Sequence, residues 1–146
     1  MKPAEDIFAG PTQHPPAPLA YRTSRYRPVE DAPTVRHVSG YAAFLIYCST
    51  HQVQPQHLAG DLPALVSFLR AHFQQVQHDT ALAAAATVFM GNALVAQRPG
   101  ARWQPGTGGG ATVGTDDLQI EIDHLLERLH LATEAELQLF LATAQN

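Results

Sequence analysis

The chain has 146 residues, 45% apolar and 15% charged, which is enough for one globular domain and short for two. Its one cysteine, Cys48, excludes an intrachain disulfide, and its one lysine, Lys2, excludes catalysis by an internal lysine. The net charge is −4, no apolar run approaches the ~18–20 residues that span a bilayer, and the first residues lack the apolar stretch of a secretory leader, so a cytoplasmic location is expected.

Residues 1–33 hold seven of the eleven prolines and show no helical or strand period. Proline fixes φ and removes a main-chain donor, so this segment reads as a flexible arm, with residues 34–146 as a single globular domain. Within the arm, Tyr21, Arg22, Arg25, Tyr26 and Arg27 alternate aromatic rings with guanidinium groups. The run from Ser39 to His51 reads as a helix capped by Ser39, because Val38, Tyr41, Ala42, Leu45 and Cys48 recur at helical spacing. Phe44, Ile46 and Tyr47 make it apolar nearly all round, so a buried strand is the competing assignment.

Asp61 is a good N-cap, and Leu62, Leu65, Val66, Leu69, Phe73 and Val76 form one apolar stripe behind it, predicting a single helix. Asp79 or Thr80 opens a second helix over about 81–97, rich in alanine, where Gly91 points to close packing or a bend. Gln104 to Gly110 is a glycine-rich loop between two extended segments. In the second of these, Leu118, Ile120 and Ile122 share one face and Gln119 and Glu121 the other. Asp123 is the expected cap of a short helix carrying Leu125, Leu126 and Leu129, and Thr133 to Glu136 is a capping box for a last helix. The fold class is therefore α+β: mostly helical, with a small antiparallel sheet of two or three strands near the C-terminal third.

The motifs of known chemistries fail one by one. The glycine loop has neither the Gly-Lys-Ser/Thr ending nor the following helix of a phosphate loop. The histidine pairs His51/His57, His72/His78 and His124/His130 are six apart, where two ligands on one helix face need four, so surface histidines are the expected reading. Cys48 lies in an apolar run that favours an inert core thiol over a nucleophile. No cofactor is expected. One constellation stands out: Glu121, Asp123 and His124 sit where strand meets helix, and two carboxylates with an imidazole can hold a divalent cation or carry out acid–base work.

Charge is distributed unevenly. Residues 104–146 carry seven acids, Asp116, Asp117, Glu121, Asp123, Glu127, Glu134 and Glu136, against Arg128 alone, whereas both earlier thirds are slightly basic. Such asymmetry speaks to partners, not to fold.

The order Val88-Phe89-Met90-Gly91-Asn92-Ala93-Leu94-Val95, then Arg98-Pro99-Gly100-Ala101-Arg102-Trp103, places a Pro-Gly exit and a Trp-bearing strand after an alanine-rich helix. Over about residues 80–146 this resembles small bacterial domains of unknown function, some of which suggest immunity-type or regulatory binding proteins. The resemblance carries over no catalytic residues.

The leading expectation is a non-enzymatic protein-binding or regulatory protein, of immunity type, that presents Asp116, Asp117, Glu121 and Glu127 to a basic protein partner. The alternative is a divalent-metal-dependent hydrolase built on Glu121, Asp123 and His124. A third reading, nucleic-acid binding through the Tyr/Arg arm, ranks last: three arginines give weak, salt-sensitive affinity, and the acidic C-terminal third repels a polyanion.

Overall fold

The computed structural model describes residues 5, 7–8, 12–13, 37–97, 100–105, 110–115 and 119–145. The alanine-rich helix Thr80–Ala96 (α5) organises the chain. Eleven of its residues, from Leu82 to Val95, are buried, as a helix that is apolar all round requires. Asp79 opens it as predicted, its Oδ1 accepting the Leu82 N–H at 3.1 Å. On one side of it lie α1 (Ala42–Thr50), α2 (Pro55–Gly60), α3 (Leu62–Ala71) and α4 (Phe73–Gln77). Against it also pack the strands β2 (His37–Val38), β3 (Arg102–Pro105) and β4 (Ala111–Gly114). A helix-dominated α+β architecture results, in agreement with the composition and periodicities.

The segment 39–51 is a helix, with Phe44, Leu45 and Cys48 inward and Ile46 52% exposed. Ser39 does not cap it. The carboxylate of Glu5 accepts from the Gly40 and Tyr41 N–H groups instead, and Gly40 makes the turn at φ +112°.

The described residues of segment 1–33 are packed, not free. Phe8 is 7% exposed, its ring 5.0 Å from Phe89 and 5.5 Å from Tyr41, and β1 (Thr12–Gln13) pairs in parallel with β2. Phe8 belongs to the apolar core and Ile7 packs against it. Tyr21, Arg22, Arg25, Tyr26 and Arg27 lie outside the described residues.

Asp61 caps α3 through the Ala64 N–H at 3.1 Å, as predicted. The single stripe from Leu62 to Val76 is nevertheless two helices, because His72 leaves helical geometry (φ −105°, ψ 14°) and directs its ring at α1. Both sides of the break keep their apolar residues in the core: Leu62, Leu65, Val66 and Leu69 before it, Phe73 and Val76 after.

β3, β4 and β5 (Gln119–Glu121) form an antiparallel sheet in the order β3-β4-β5, with Trp103 opposite Val113 and Val113 opposite Ile120. Trp103 is fully buried. Its indole lies on α5 at Gly91, where an added Cβ would stand 2.3 Å from Cζ2, so the glycine is the residue that lets sheet and helix touch. One residue further on, Asn92 forms a polar node. Its Oδ1 accepts from the Val38 N–H and from Trp103 Nε1, both at 2.9 Å, and its Nδ2 donates to the Val38 carbonyl at 2.9 Å. This single amide joins β2, α5 and β3.

α6 (Leu125–Leu131) and α7 (Glu134–Gln145) close the chain. The capping box is present: Thr133 N–H donates to the Glu136 carboxylate at 2.9 Å, and Glu136 N–H to Thr133 Oγ1 at 3.2 Å. The predicted Asp123 cap of α6 is not formed. His124 takes the N-cap position in the left-handed region (φ 60°), and the Asp123 carboxylate lies against Gly110, filling the space a Cβ there would need.

Candidate functional site: exposed carboxylates of β5, α6 and α7

The alternation along β5 sets the face. Ile122 is buried and Ile120 half-buried, so Gln119 and Glu121 are turned to solvent. Asp123, Glu127, Glu134 and Glu136 are exposed as well. Asp116, Asp117 and Leu118 lie outside the described residues. Glu136 is held ionised by its partners: the main-chain N–H and hydroxyl of Thr133 keep its carboxyl below the ordinary range.

Arg128 is the one lysine or arginine within this stretch, and its described hydrogen bonds go to main-chain carbonyls. Its Nη2 donates to the main-chain carbonyls of Glu121 and, at 3.4 Å, of Asp123. The guanidinium thereby ties β5 to α6, and from outside the stretch Arg70 Nη2 reaches the Ala132 carbonyl at 3.5 Å, just ahead of α7. The His124 imidazole stands 3.9 Å from the Glu127 carboxylate on an exposed surface. Leu131 and Leu139, 71% and 70% exposed, add apolar area on α6 and α7. Behind α6, a cavity of about 170 Å³ opens among Phe73, Val76, Leu125 and Leu126, with His124 and Glu127 also lining it.

The trio proposed for a metal is not assembled. Glu121 ends a strand facing solvent, Asp123 is turned onto Gly110, and the left-handed His124 directs its ring to Glu127. Among the described residues no group of three His, Cys, Asp or Glu side chains converges as metal ligands would. The strand-to-helix corner, with a left-handed step at its end, aims neighbouring side chains apart.

Cys48 is a core residue. It is fully buried, and burial pushes its thiol from the ordinary 9.0 up to about 12. About a thousandfold less thiolate follows at pH 8, so alkylation by iodoacetamide should be slower in the folded chain than in urea by at least that factor. Comparable rates would show that Cys48 is accessible.

No protein-family model, curated protein or solved structure matches the chain. Its function must be argued from its own residues. No described helix is long and apolar enough to cross a membrane.

The histidine pairs spaced by six do not define the clusters that form. The rings that meet are His51 and His72, with centroids 5.1 Å apart, and His130, which stacks on Phe73 at 4.0 Å. Spacing on one helix cannot reveal contacts between helices.

Proposed function

We propose that the chain is a non-enzymatic binding protein, of regulatory or immunity type, whose acidic face takes a basic protein partner. One observation carries the reading: Glu121, Asp123, Glu127, Glu134 and Glu136 are all exposed, while Arg128 is the only lysine or arginine in residues 104–146. Exposed carboxylates of one sign steer association and exclude polyanions. Leu131 and Leu139, exposed among those acids, supply apolar contact area of the kind that becomes a buried centre inside a charged rim.

The test is capture of binding proteins from a native lysate by the wild-type chain and by the triple variant Glu121→Gln, Glu127→Gln, Glu134→Gln. These positions are exposed, so stability should change by less than about 0.5 kcal/mol. The expected result is a basic protein retained by the wild type and lost from the variant. Identical captures with both chains would remove the acidic face from the account.

A further inference from the structure

We propose that His51 and His72 form a two-imidazole binding site for a late first-row divalent cation, Cu²⁺ or Zn²⁺, oriented by Tyr47. The two histidines are distant in sequence, His51 at the C-terminal cap of α1 and His72 at the α3–α4 break, and ring contacts of Phe44 and Tyr47 with Phe68 bring them together. The inference is independent of the acidic face.

The hydrogen bonds of the four ring nitrogens support it. His51 Nδ1–H donates to the Tyr47 carbonyl at 2.9 Å, which fixes the tautomer and leaves its Nε2 with a lone pair. His72 Nδ1 and the Tyr47 hydroxyl share a hydrogen across 2.6 Å. The bond allows either tautomer of His72, and in the one that a metal would select, Nδ1–H donates to the phenol oxygen and Nε2 carries a second lone pair. Neither Nε2 has a partner among the described residues. Histidines that ligate metals almost always have the other ring nitrogen held in this way by an oxygen. Here one residue, Tyr47, holds both rings, one through its main chain and one through its side chain.

Stacking fixes the rings further. His51 lies on Tyr47 with centroids 4.1 Å apart, and His72 on Phe68 at 4.3 Å and 25°. Two imidazoles on one ion at metal–nitrogen distances of about 2.0–2.1 Å have ring centroids roughly 4.5–5.3 Å apart for angles between square-planar and tetrahedral. The observed separation is 5.1 Å, with the ring planes at 82°. Imidazole donors select copper and zinc over magnesium and calcium. No third His, Cys, Asp or Glu joins the pair among the described residues, so water or a donor from another molecule completes the coordination sphere.

The experiment titrates the intact chain with Cu²⁺ and with Zn²⁺ by calorimetry, with Mg²⁺ as the control. The expected result is one equivalent of Cu²⁺ or Zn²⁺ and no response to Mg²⁺. His51→Ala and His72→Ala should each lower affinity more than about tenfold, and the double variant little further, because losing either ligand loses the chelate. Tyr47→Phe should weaken binding by about tenfold, as loss of a supporting hydrogen bond does, whereas His57→Ala and His78→Ala should change nothing. Should His72→Ala not fold, paramagnetic broadening by Cu²⁺ in the wild-type spectrum decides, because it should centre on the His51 and His72 rings. Absence of stoichiometric binding, equal losses at His57 or His78, or broadening spread over all the histidines would overturn the site.

Discussion

Trp103→Ala should destabilise the fold by about 3–5 kcal/mol, the range of large aromatic deletions from cores. The side chain is the largest fully buried one, it rests on α5 at Gly91, and its Nε1–H is donated to Asn92. Removing it opens a cavity between sheet and helix and leaves the Asn92 oxygen with one donor fewer. The partner substitution Gly91→Ala tests the same contact from the other side. Its added methyl would overlap the indole, an overpacking cost of about 1–3 kcal/mol or more against a rigid ring. Helix propensity returns about 1 kcal/mol, so a net change between about zero and a loss of about 2 kcal/mol or more is expected, at the upper end because the ring cannot give way. Trp103→Phe trims the ring atoms that the added methyl would strike, so the double variant Gly91→Ala, Trp103→Phe should lose less than the two single variants together. Urea unfolding followed by circular dichroism measures every one of these chains, since tryptophan fluorescence is lost wherever Trp103 is replaced. Strict additivity, or a Trp103→Ala cost below about 1 kcal/mol, would place the ring outside the core.

Asn92→Leu should cost a further large amount, about 3–5 kcal/mol, although it replaces a polar side chain with an apolar one of similar shape. Three hydrogen bonds converge on this amide within buried surroundings. Leucine would leave the Val38 N–H, the Val38 carbonyl and the Trp103 N–H without that partner, at about 1–3 kcal/mol for each group that stays buried and unpaired. The loss should be local as well as global. Amide exchange at Val38 should change from protected to fast before the rest of the chain opens, because β2 is held to α5 and β3 through Asn92. Unchanged protection at Val38 would mean that β2 is held by something else.

Features fixed by neighbours in sequence were legible before any coordinates. Asp61 and Asp79 cap the helices they precede, Thr133 and Glu136 form their box, and Ile120, Gln119 and Glu121 alternate as a half-buried strand must. Gly91 in an alanine-rich helix announced a close approach, although not that Trp103 would be the partner. Features made by distant residues were not legible. The Glu5 carboxylate accepts from the Gly40 and Tyr41 N–H groups just ahead of α1, from a segment that composition marks as an arm. The break at His72 interrupts an apolar stripe that nothing local disturbs, and it exists where the imidazole can reach Tyr47. At the acidic site, the carboxylates and their exposure could be read from periodicity. The left-handed His124, which scatters Glu121, Asp123 and His124, could not, nor could the use of Arg128 on carbonyls.

The acidic-face account is tested most directly by the association rate of the native chain with its captured basic partner, measured across ionic strength from about 20 mM to about 500 mM. Over that range the screening length shrinks from more than about 20 Å to under about 5 Å. The account predicts a rate that falls at least about tenfold with salt, and a much flatter dependence for the Glu121→Gln, Glu127→Gln, Glu134→Gln chain. A rate indifferent both to salt and to the three substitutions would contradict it.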